Sequence, residues 1–231
     1  MNPIVDSIVR DGMQETWLRV LHRTRLISCL HTFEFYIKTL ADTNASQFYD
    51  WSREPLSNGI QLICREIQEG ELSFLKWAPE MYSSETLREH FNRGMRFFGA
   101  FHDNAVVALN GFHPQYAHLG YIGWPLVQLP KGVAYINCVI TAPDYRQCGA
   151  GSRLSLFCWG VLKQEGFWMV AAAVFIENKA ARAWHNKQGF QRWGRVSYIK
   201  RGAKGYWKTR LTAEGRKHAT LLNHKVQLKD I

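Results

Sequence analysis

The fold of this 231-residue chain is decided by the stretch Pro143-Asp144-Tyr145-Arg146-Gln147-Cys148-Gly149-Ala150-Gly151. It follows a β-rich run, Val133–Ile140, and leads into a helical pattern that ends at Gln164. A helix N-terminus exposes unpaired N–H groups and a partial positive charge, which together bind phosphate. The two glycines let backbone amides approach phosphate oxygens, and Arg146 adds a fixed cation. The stretch therefore predicts a phosphate-binding turn between a strand and a helix.

Two other nucleotide-binding loops do not fit this stretch. A dinucleotide fingerprint needs a third glycine three residues after Gly151, where this chain has Leu154. A Walker A loop needs Gly-Lys-Ser or Gly-Lys-Thr, which the stretch also lacks. A strand followed by Gly-x-Gly and a helix is equally compatible with a simple tight turn, so a second signal is needed.

That second signal is the segment Glu177–Phe190, ENKAARAWHNKQGF, which follows the buried β-type run Trp168–Ile176. Together the two segments resemble the GNAT acyltransferase superfamily, whose acyl-CoA motif P-x-Y-R-x-x-G-x-G/A matches Pro143–Gly151. The later family motif is N-x-x-A/S-x-x-ϕ-Y-x-K-x-G-F, where ϕ is apolar. It is matched by Asn178, Ala181, Trp184, Lys187, Gly189 and Phe190. The resemblance covers Val139–Phe190, with both motifs in the family's order.

The resemblance implies an α/β (α+β) fold, with a central mixed, mostly antiparallel sheet that contains a splayed strand pair and is flanked by helices. The remaining pattern agrees, since the runs Arg96–Ala100 and Ala105–Phe112 flank a hairpin signal at His102-Asp103-Asn104. Near-helical apolar spacing predicts a helix from Gln14 to Leu40. We therefore predict an N-terminal helical extension (residues 1–58), an acyltransferase domain (59–211) and a basic C-terminal helical tail (212–231), the last of which includes a helix from Thr212 to Gln227.

Acetyl-CoA, or another acyl-CoA, is the co-substrate that the resemblance implies. The end of the strand before the loop would hydrogen-bond the pantetheine arm through Val139, Ile140 and Thr141. The loop would hold the pyrophosphate through Arg146, Gln147, Cys148, Gly149, Ala150, Gly151 and Ser152. Asn178 would contact the pantetheine or stabilise the following helix, and a simple helix cap is compatible with both roles.

The catalytic residues are less directly implied. Where the family usually has a Tyr that protonates the departing thiolate, this chain has His185, which could donate a proton near neutral pH or be a surface residue without chemistry. Many members carry a Glu base on the central strand, but Val133–Cys138 has no carboxylate. Asn137 could position a water, and His113 and Tyr135 are candidate bases, with packing in the core or at its rim as the alternative for both.

The leading functional hypothesis is direct attack of an amine or hydroxyl acceptor on the thioester within a ternary complex. A His at position 185 and a long leading segment are similar to a subgroup found beside bacterial exopolysaccharide and surface-glycan genes. That likeness implies an amino sugar or a nucleotide sugar as the acceptor. Acylation of a protein lysine or a small amine is the alternative among enzymes.

The formal net charge of +10 favours polyanionic partners without choosing among them. A module that binds nucleic acid or a membrane surface is therefore a competing hypothesis. Nucleic acid is the less favoured of these two partners. The predicted N-terminal helix could rest on a membrane. The chain has 5 scattered cysteines, no zinc-ligand spacing and no signal-peptide pattern at its start. We therefore expect a cytoplasmic protein that binds no metal. If it associates with a membrane, we expect it at the inner face of that membrane. Whether it forms a homodimer is left open.

Overall fold

The structure is a computed structural model that describes residues 29–40, 44–74, 77–78, 82–117, 127–201, 204–213 and 215–216. Its strands are β1 (Cys29–Thr39), β2 (Ile63–Glu66), β3 (Arg96–His102), β4 (Ala105–His113), β5 (Tyr116–Ala117), β6 (Val127–Gln128), β7 (Val133–Thr141), β8 (Met169–Phe175), β9 (Gln191–Arg201) and β10 (Lys204–Leu211). Its α-helices are α1 (Ala45–Arg53), α2 (Ser84–Asn92), α3 (Ala150–Gln164) and α4 (Lys179–Lys187). Short 3-10 helices cover Glu69–Phe74 and Pro143–Tyr145.

This is a mixed α/β fold with an open, mostly antiparallel sheet flanked by helices, which confirms the predicted fold class. The described residues form two compact units. The larger unit comprises Ile37–Ala173 and Gln188–Phe190. The smaller comprises Val174–Lys187 and the described parts of residues 1–36 and 191–231. In the described part of the chain, no helix has the length and apolar character that a membrane span requires.

In the larger unit the strand order is β8-β7-β4-β3-β2. The hairpin between β3 and β4 is confirmed, and its turn has positive φ at Asp103 (48°) and Asn104 (62°), as a tight two-residue turn requires. Strands β7 and β8 are parallel over four residue pairs, from Val133↔Met169 to Ile136↔Ala172, and β7 then continues to Thr141. The pairing therefore stops halfway along β7, as expected for a splayed strand pair.

Helix α3 covers this sheet with one apolar face. Leu154, Cys158, Trp159 and Leu162 are each at most 1% exposed, which is the spacing of one helix face. On its other side α3 contacts α1 closely, because a Cβ on Gly160 would lie 3.0 Å from the ring of Tyr49. Helix α3 is thus packed between the sheet and α1.

In the smaller unit the strand order is β10-β9-β1, and β10 lies antiparallel to β9. The helix predicted for Gln14–Leu40 is wrong over Cys29–Thr39, where the chain forms β1. Thr32, Phe33 and Glu34 are consecutive and all buried, so the strand is enclosed on both faces and lacks the alternation that marks a half-exposed strand. Residues 14–28, and most of the helix predicted at Thr212–Gln227, lie outside the described residues. Strand β10 was not predicted.

A buried carboxylate holds the smaller unit together. The side chain of Glu34 is 1% exposed, and its oxygens accept hydrogen bonds from Tyr36 (2.7 Å) and from three arginines. These are Arg182 on α4 (2.7 Å) and Arg192 and Arg195 on β9 (both 3.0 Å). Burial alone would raise the pKa of Glu34, but the Tyr36 hydroxyl and the guanidinium groups outweigh it and lower the pKa below the ordinary 4.5.

Glu34→Gln should therefore destabilise the fold, because it removes the buried negative charge that binds three guanidinium groups. We expect the free energy of unfolding to fall by about 3 kcal/mol at neutral pH, measured by urea denaturation. The exposed Glu177→Gln is the matched control and should leave the midpoint unchanged.

The same comparison has a defined pH dependence. Because folding lowers the pKa of Glu34, its contribution is complete above the ordinary value of 4.5 and is lost as the pH falls below it. The difference between the wild type and Glu34→Gln should shrink in acid. A difference that stays constant from neutral pH to acid would contradict this assignment.

Candidate active site

The turn between β7 and α3 has the backbone conformation of an anion-binding loop. Gln147 has φ 63° and Gly149 has φ 100°, so two of its residues are left-handed, and such residues are typical of concave loops that bind anions. Gly149 is the N-cap of α3, and no side chain caps this helix. The first helical hydrogen bond is from the Arg153 N–H to the Gly149 carbonyl (2.9 Å). The N–H groups of Ala150, Gly151 and Ser152 precede it and have no partner within the helix.

Both glycines are needed for this turn. A Cβ on Gly149 would have only Leu56 near it, at 3.9 Å, so the space above the helix end is open, and the left-handed φ would strain any side chain placed there. A Cβ on Gly151 would lie 2.9 Å from Oγ1 of Thr141 at the end of β7. A side chain at position 149 would project into the open space, and one at position 151 would push α3 away from the end of β7. The residues present therefore fit a diphosphate held by backbone donors.

Several residues from other segments hold the turn in place. The N–H of Ser57 donates to the Cys148 carbonyl (3.3 Å), and Arg153 donates to the Trp51 carbonyl (2.9 Å). Tyr145 Oη and His102 Nδ1 are 2.7 Å apart. Helix α1 with the segment after it, and the end of β3, thus fix the loop from two directions.

Two polar side chains within the turn have defined partners. Nε of Arg146 donates to the Thr141 carbonyl at 3.1 Å, although the residue is exposed overall. Oγ of Ser152 accepts a hydrogen bond from Nε2 of Gln188 at 2.8 Å. Cys148 is a half-buried free thiol. Thr141 at the end of β7 therefore lies beside the turn, while cofactor binding by Val139, Ile140, Thr141 and Arg146–Ser152 stays a prediction.

Asn137 occupies an irregular position on β7. Gly111 pairs with Cys138 and Phe112 with Ile136, so Asn137 is the extra residue of a β-bulge. Its side chain is half-buried, and its Nδ2 lies 3.8 Å from Sδ of Met95. Bulges reorient side chains and backbone groups and are common beside active sites. The role of Asn137 in holding a water stays a prediction.

The surroundings of the two candidate bases argue against that role. Nδ1 of His113 accepts from the N–H groups of Gln115 (3.2 Å) and Tyr116 (3.1 Å), so its Nε2–H donates to the Arg93 carbonyl (2.9 Å). Both ring nitrogens of His113 are thereby engaged by backbone. Tyr135 is 2% exposed, and burial raises the pKa of its phenol above the ordinary 10.0. A phenol that stays protonated cannot accept a proton from the acceptor.

His185 and Asn178 belong to the smaller unit. Nδ1 of His185 lies 2.8 Å from the Ala181 carbonyl, so it carries the proton and donates it there. Burial lowers the pKa of His185 to about 4, partly opposed by that hydrogen bond. The ring is therefore neutral at physiological pH with its only proton engaged, which argues against protonation of a thiolate. Oδ1 of Asn178 accepts from the Ala181 N–H (3.0 Å), so Asn178 caps α4.

With this geometry established, comparison with protein families decides the classification. Residues 45–190 match the model of the acetyltransferase (GNAT) family. The chain belongs to the acetyltransferase (GNAT) family. The match covers both motifs and the turn between β7 and α3. A search of curated proteins gave no significant match.

Several solved structures are similar to this chain at low sequence identity. A protein of unknown function from Staphylococcus epidermidis is 11% identical with a TM-score of 0.50, and the alignment covers 82% of this chain and 68% of that one. A GNAT-family acetyltransferase from Novosphingobium aromaticivorans is 17% identical (TM-score 0.48; 75% of this chain), and this chain spans only 65% of its length. The PaiA N-acetyltransferase from Thermoplasma acidophilum, solved with coenzyme A, is 18% identical (TM-score 0.44; 57% of this chain and 91% of that one).

Sequence reasoning missed residues that support the GNAT turn from outside the motifs. Ser57 and Arg153 hold the loop, and Gln188 holds Ser152, yet none is a motif position. The only signal for Gln188 was a polar residue immediately before Gly189-Phe190. Its partner is 36 residues away in the chain, so no local pattern could have identified it.

The protonation state of His185 can be tested directly. In nitrogen-15 NMR, the resonances of His185, assigned from their absence in His185→Phe, should report the Nδ1–H tautomer. They should show no titration near the ordinary pKa of 6.5, because burial disfavours the charged ring. A titration step centred near pH 6.5 would restore His185 as a candidate acid.

Proposed function

We propose that the protein is an acyl-CoA-dependent acyltransferase that transfers an acyl group, most simply acetyl, to an amine or, as the alternative, to a hydroxyl acceptor. The observation that carries this proposal is the turn at the start of α3, with its left-handed Gly149 and open space above the helix end. Membership of the GNAT family and the early end of the β7–β8 pairing agree with it.

In this proposal the protein acts mainly by binding and orientation. Acetyl-CoA supplies an activated acyl thioester that the acceptor attacks directly in a ternary complex. The amides of Ala150, Gly151 and Ser152 bind the diphosphate, and the end of β7 holds the pantetheine through backbone groups. Fixing both reactants in one geometry removes much of the entropic barrier of a bimolecular reaction. Backbone donors of β7 near its bulge are our candidates for polarising the thioester carbonyl.

Proton transfer is assigned to water rather than to a protein base. His113 and Tyr135 are disfavoured by their surroundings, and Asn137 has no basic group but can hold a water by hydrogen bonds. We therefore propose that the proton of the attacking amine leaves through a water at Asn137. The departing thiolate would likewise be protonated from solvent, since the proton of His185 is engaged by Ala181.

For the acceptor we propose an amino sugar or a nucleotide sugar used in surface-polysaccharide synthesis. Support comes from the histidine at position 185 and from the net charge of +10, which favours anionic acceptors such as nucleotide sugars. A protein lysine or a small amine is the alternative. Catalysis in the cytoplasm is part of the same proposal. The membrane-surface association through an N-terminal helix stays a prediction, because Cys29–Thr39 forms a strand and the residues before it lie outside the described part of the chain.

Cofactor binding has a direct test. Acetyl-CoA should raise the melting temperature of the wild type, and Gly149→Glu should abolish that shift by placing a strained, negatively charged side chain at the helix end. Gly70→Glu is the matched control: Gly70 is exposed, a Cβ there would meet nothing within 4 Å, and the shift should persist. Equal shifts in all three proteins would contradict binding at this turn.

The acceptor can be identified by measuring CoA release with amino sugars, nucleotide sugars, polyamines and peptides in parallel. We expect turnover with the sugar classes and its loss in Gly149→Glu. Turnover with peptides or polyamines alone would favour the alternative acceptor. Salt-sensitive oligonucleotide binding that survives Gly149→Glu, without turnover on any acceptor, would instead indicate a nucleic-acid module.

A further inference from the structure

The hydrogen bond between Gln188 and Ser152 sets the direction of a hydroxyl proton. Nε2 of Gln188 donates to Oγ of Ser152 at 2.8 Å, so the oxygen acts as an acceptor in this contact. A serine hydroxyl has one proton, and here it must point away from Gln188 toward a different acceptor. Ser152 is the third residue of α3, and its own amide is the last of the three that have no partner within the helix.

We propose that Gln188 is a positioning residue that turns the Ser152 hydroxyl toward the diphosphate of the bound acyl-CoA. The inference rests on the proposed function and extends it, since the backbone amides alone were assigned to that group. A hydroxyl that donates to a phosphate oxygen forms a charge-assisted hydrogen bond, which is stronger than a neutral one. Gln188 contributes by fixing the acceptor side of Ser152 without contacting the phosphate.

Gln188 is itself fixed from the other direction. The backbone carbonyl of Gln188 accepts a hydrogen bond from Nζ of Lys38 at 2.8 Å. That ammonium group lies 4.7 Å from the ring centroid of Trp159 on α3. The ring of Phe190, two residues further on, is 6.0 Å from Trp159. The backbone at Gln188 is therefore attached to the same helix that carries Ser152, which keeps the amide within reach of the hydroxyl.

The size of the expected effect separates this role from a structural one. The Gln188–Ser152 contact is a neutral, half-buried hydrogen bond, and such bonds add little to folding. Its loss should leave the unliganded protein folded, with an unchanged melting temperature. Removing this hydrogen bond should lower the affinity for CoA, because a hydroxyl that can rotate freely donates to the phosphate only part of the time.

Calorimetric titration with CoA on four proteins tests the proposal: wild type, Ser152→Ala, Gln188→Met and the double variant. Ser152→Ala should weaken binding about tenfold or more, as expected for a hydrogen bond to a charged group. Gln188→Met should weaken it about threefold to tenfold in the wild-type background and should add nothing to Ser152→Ala. Ser152→Thr, which keeps the hydroxyl, should retain the affinity.

Gln164→Met is the matched control, since Gln164 is an exposed glutamine at the opposite end of α3 whose Oε1 accepts from the Tyr49 hydroxyl. It should leave CoA affinity unchanged. In turnover, Ser152→Ala and Gln188→Met should raise KM for acetyl-CoA and leave kcat and the KM of the acceptor unaltered.

Two results would overturn the inference while leaving the proposed function intact. In the first, Gln188→Met binds CoA as tightly as the wild type does. In the second, Gln188→Met lowers CoA affinity by the same factor whether position 152 is Ser or Ala. A wild-type protein that does not bind CoA would overturn both proposals.

Discussion

One backbone conformation, the left-handed turn at Gly149, is the constraint on which the candidate site depends. It lets the chain leave the loop and begin α3 within a single residue, so that the next amides point beyond the helix end. Other contacts hold this geometry in place. Ser57 binds the Cys148 carbonyl, and Asn110 donates to Ser155 (2.8 Å), whose hydroxyl in turn donates to the Gly151 carbonyl (2.8 Å). The first turn of α3 is therefore attached to the sheet beneath it.

Much of the fold could be predicted because its signals are local. The β3–β4 hairpin follows from Asp103-Asn104, and the sequence of strands and helices from Val133 onward follows from period and glycine positions. Strand β1 could not be predicted in this way. It is buried on both faces, so its apolar residues show no alternation, and by chance their spacing also fits a helix.

The site was predicted unevenly for a related reason. A motif fixes backbone geometry, so the position of the turn between β7 and α3 could be predicted, while the binding role of Arg146–Ser152 stays a prediction. The chemistry of a side chain depends on what surrounds it, and those partners come from elsewhere in the fold. His113 donates a hydrogen bond to the Arg93 carbonyl. His185 is buried and donates one to the Ala181 carbonyl. The residue type alone gives only the ordinary pKa, which for His185 is higher than the value of about 4 that burial produces.

The position of Glu34 also constrains the order in which the chain can fold. Its arginine partners lie 148, 158 and 161 residues further along. During synthesis from the N-terminus, β1 emerges long before the segment that neutralises its carboxylate. The smaller unit therefore cannot be completed until most of the chain has left the ribosome, and contacts of such long range form slowly. Until then this strand, which is rich in aromatic residues, remains without its native neighbours, a period in which a chaperone could bind it.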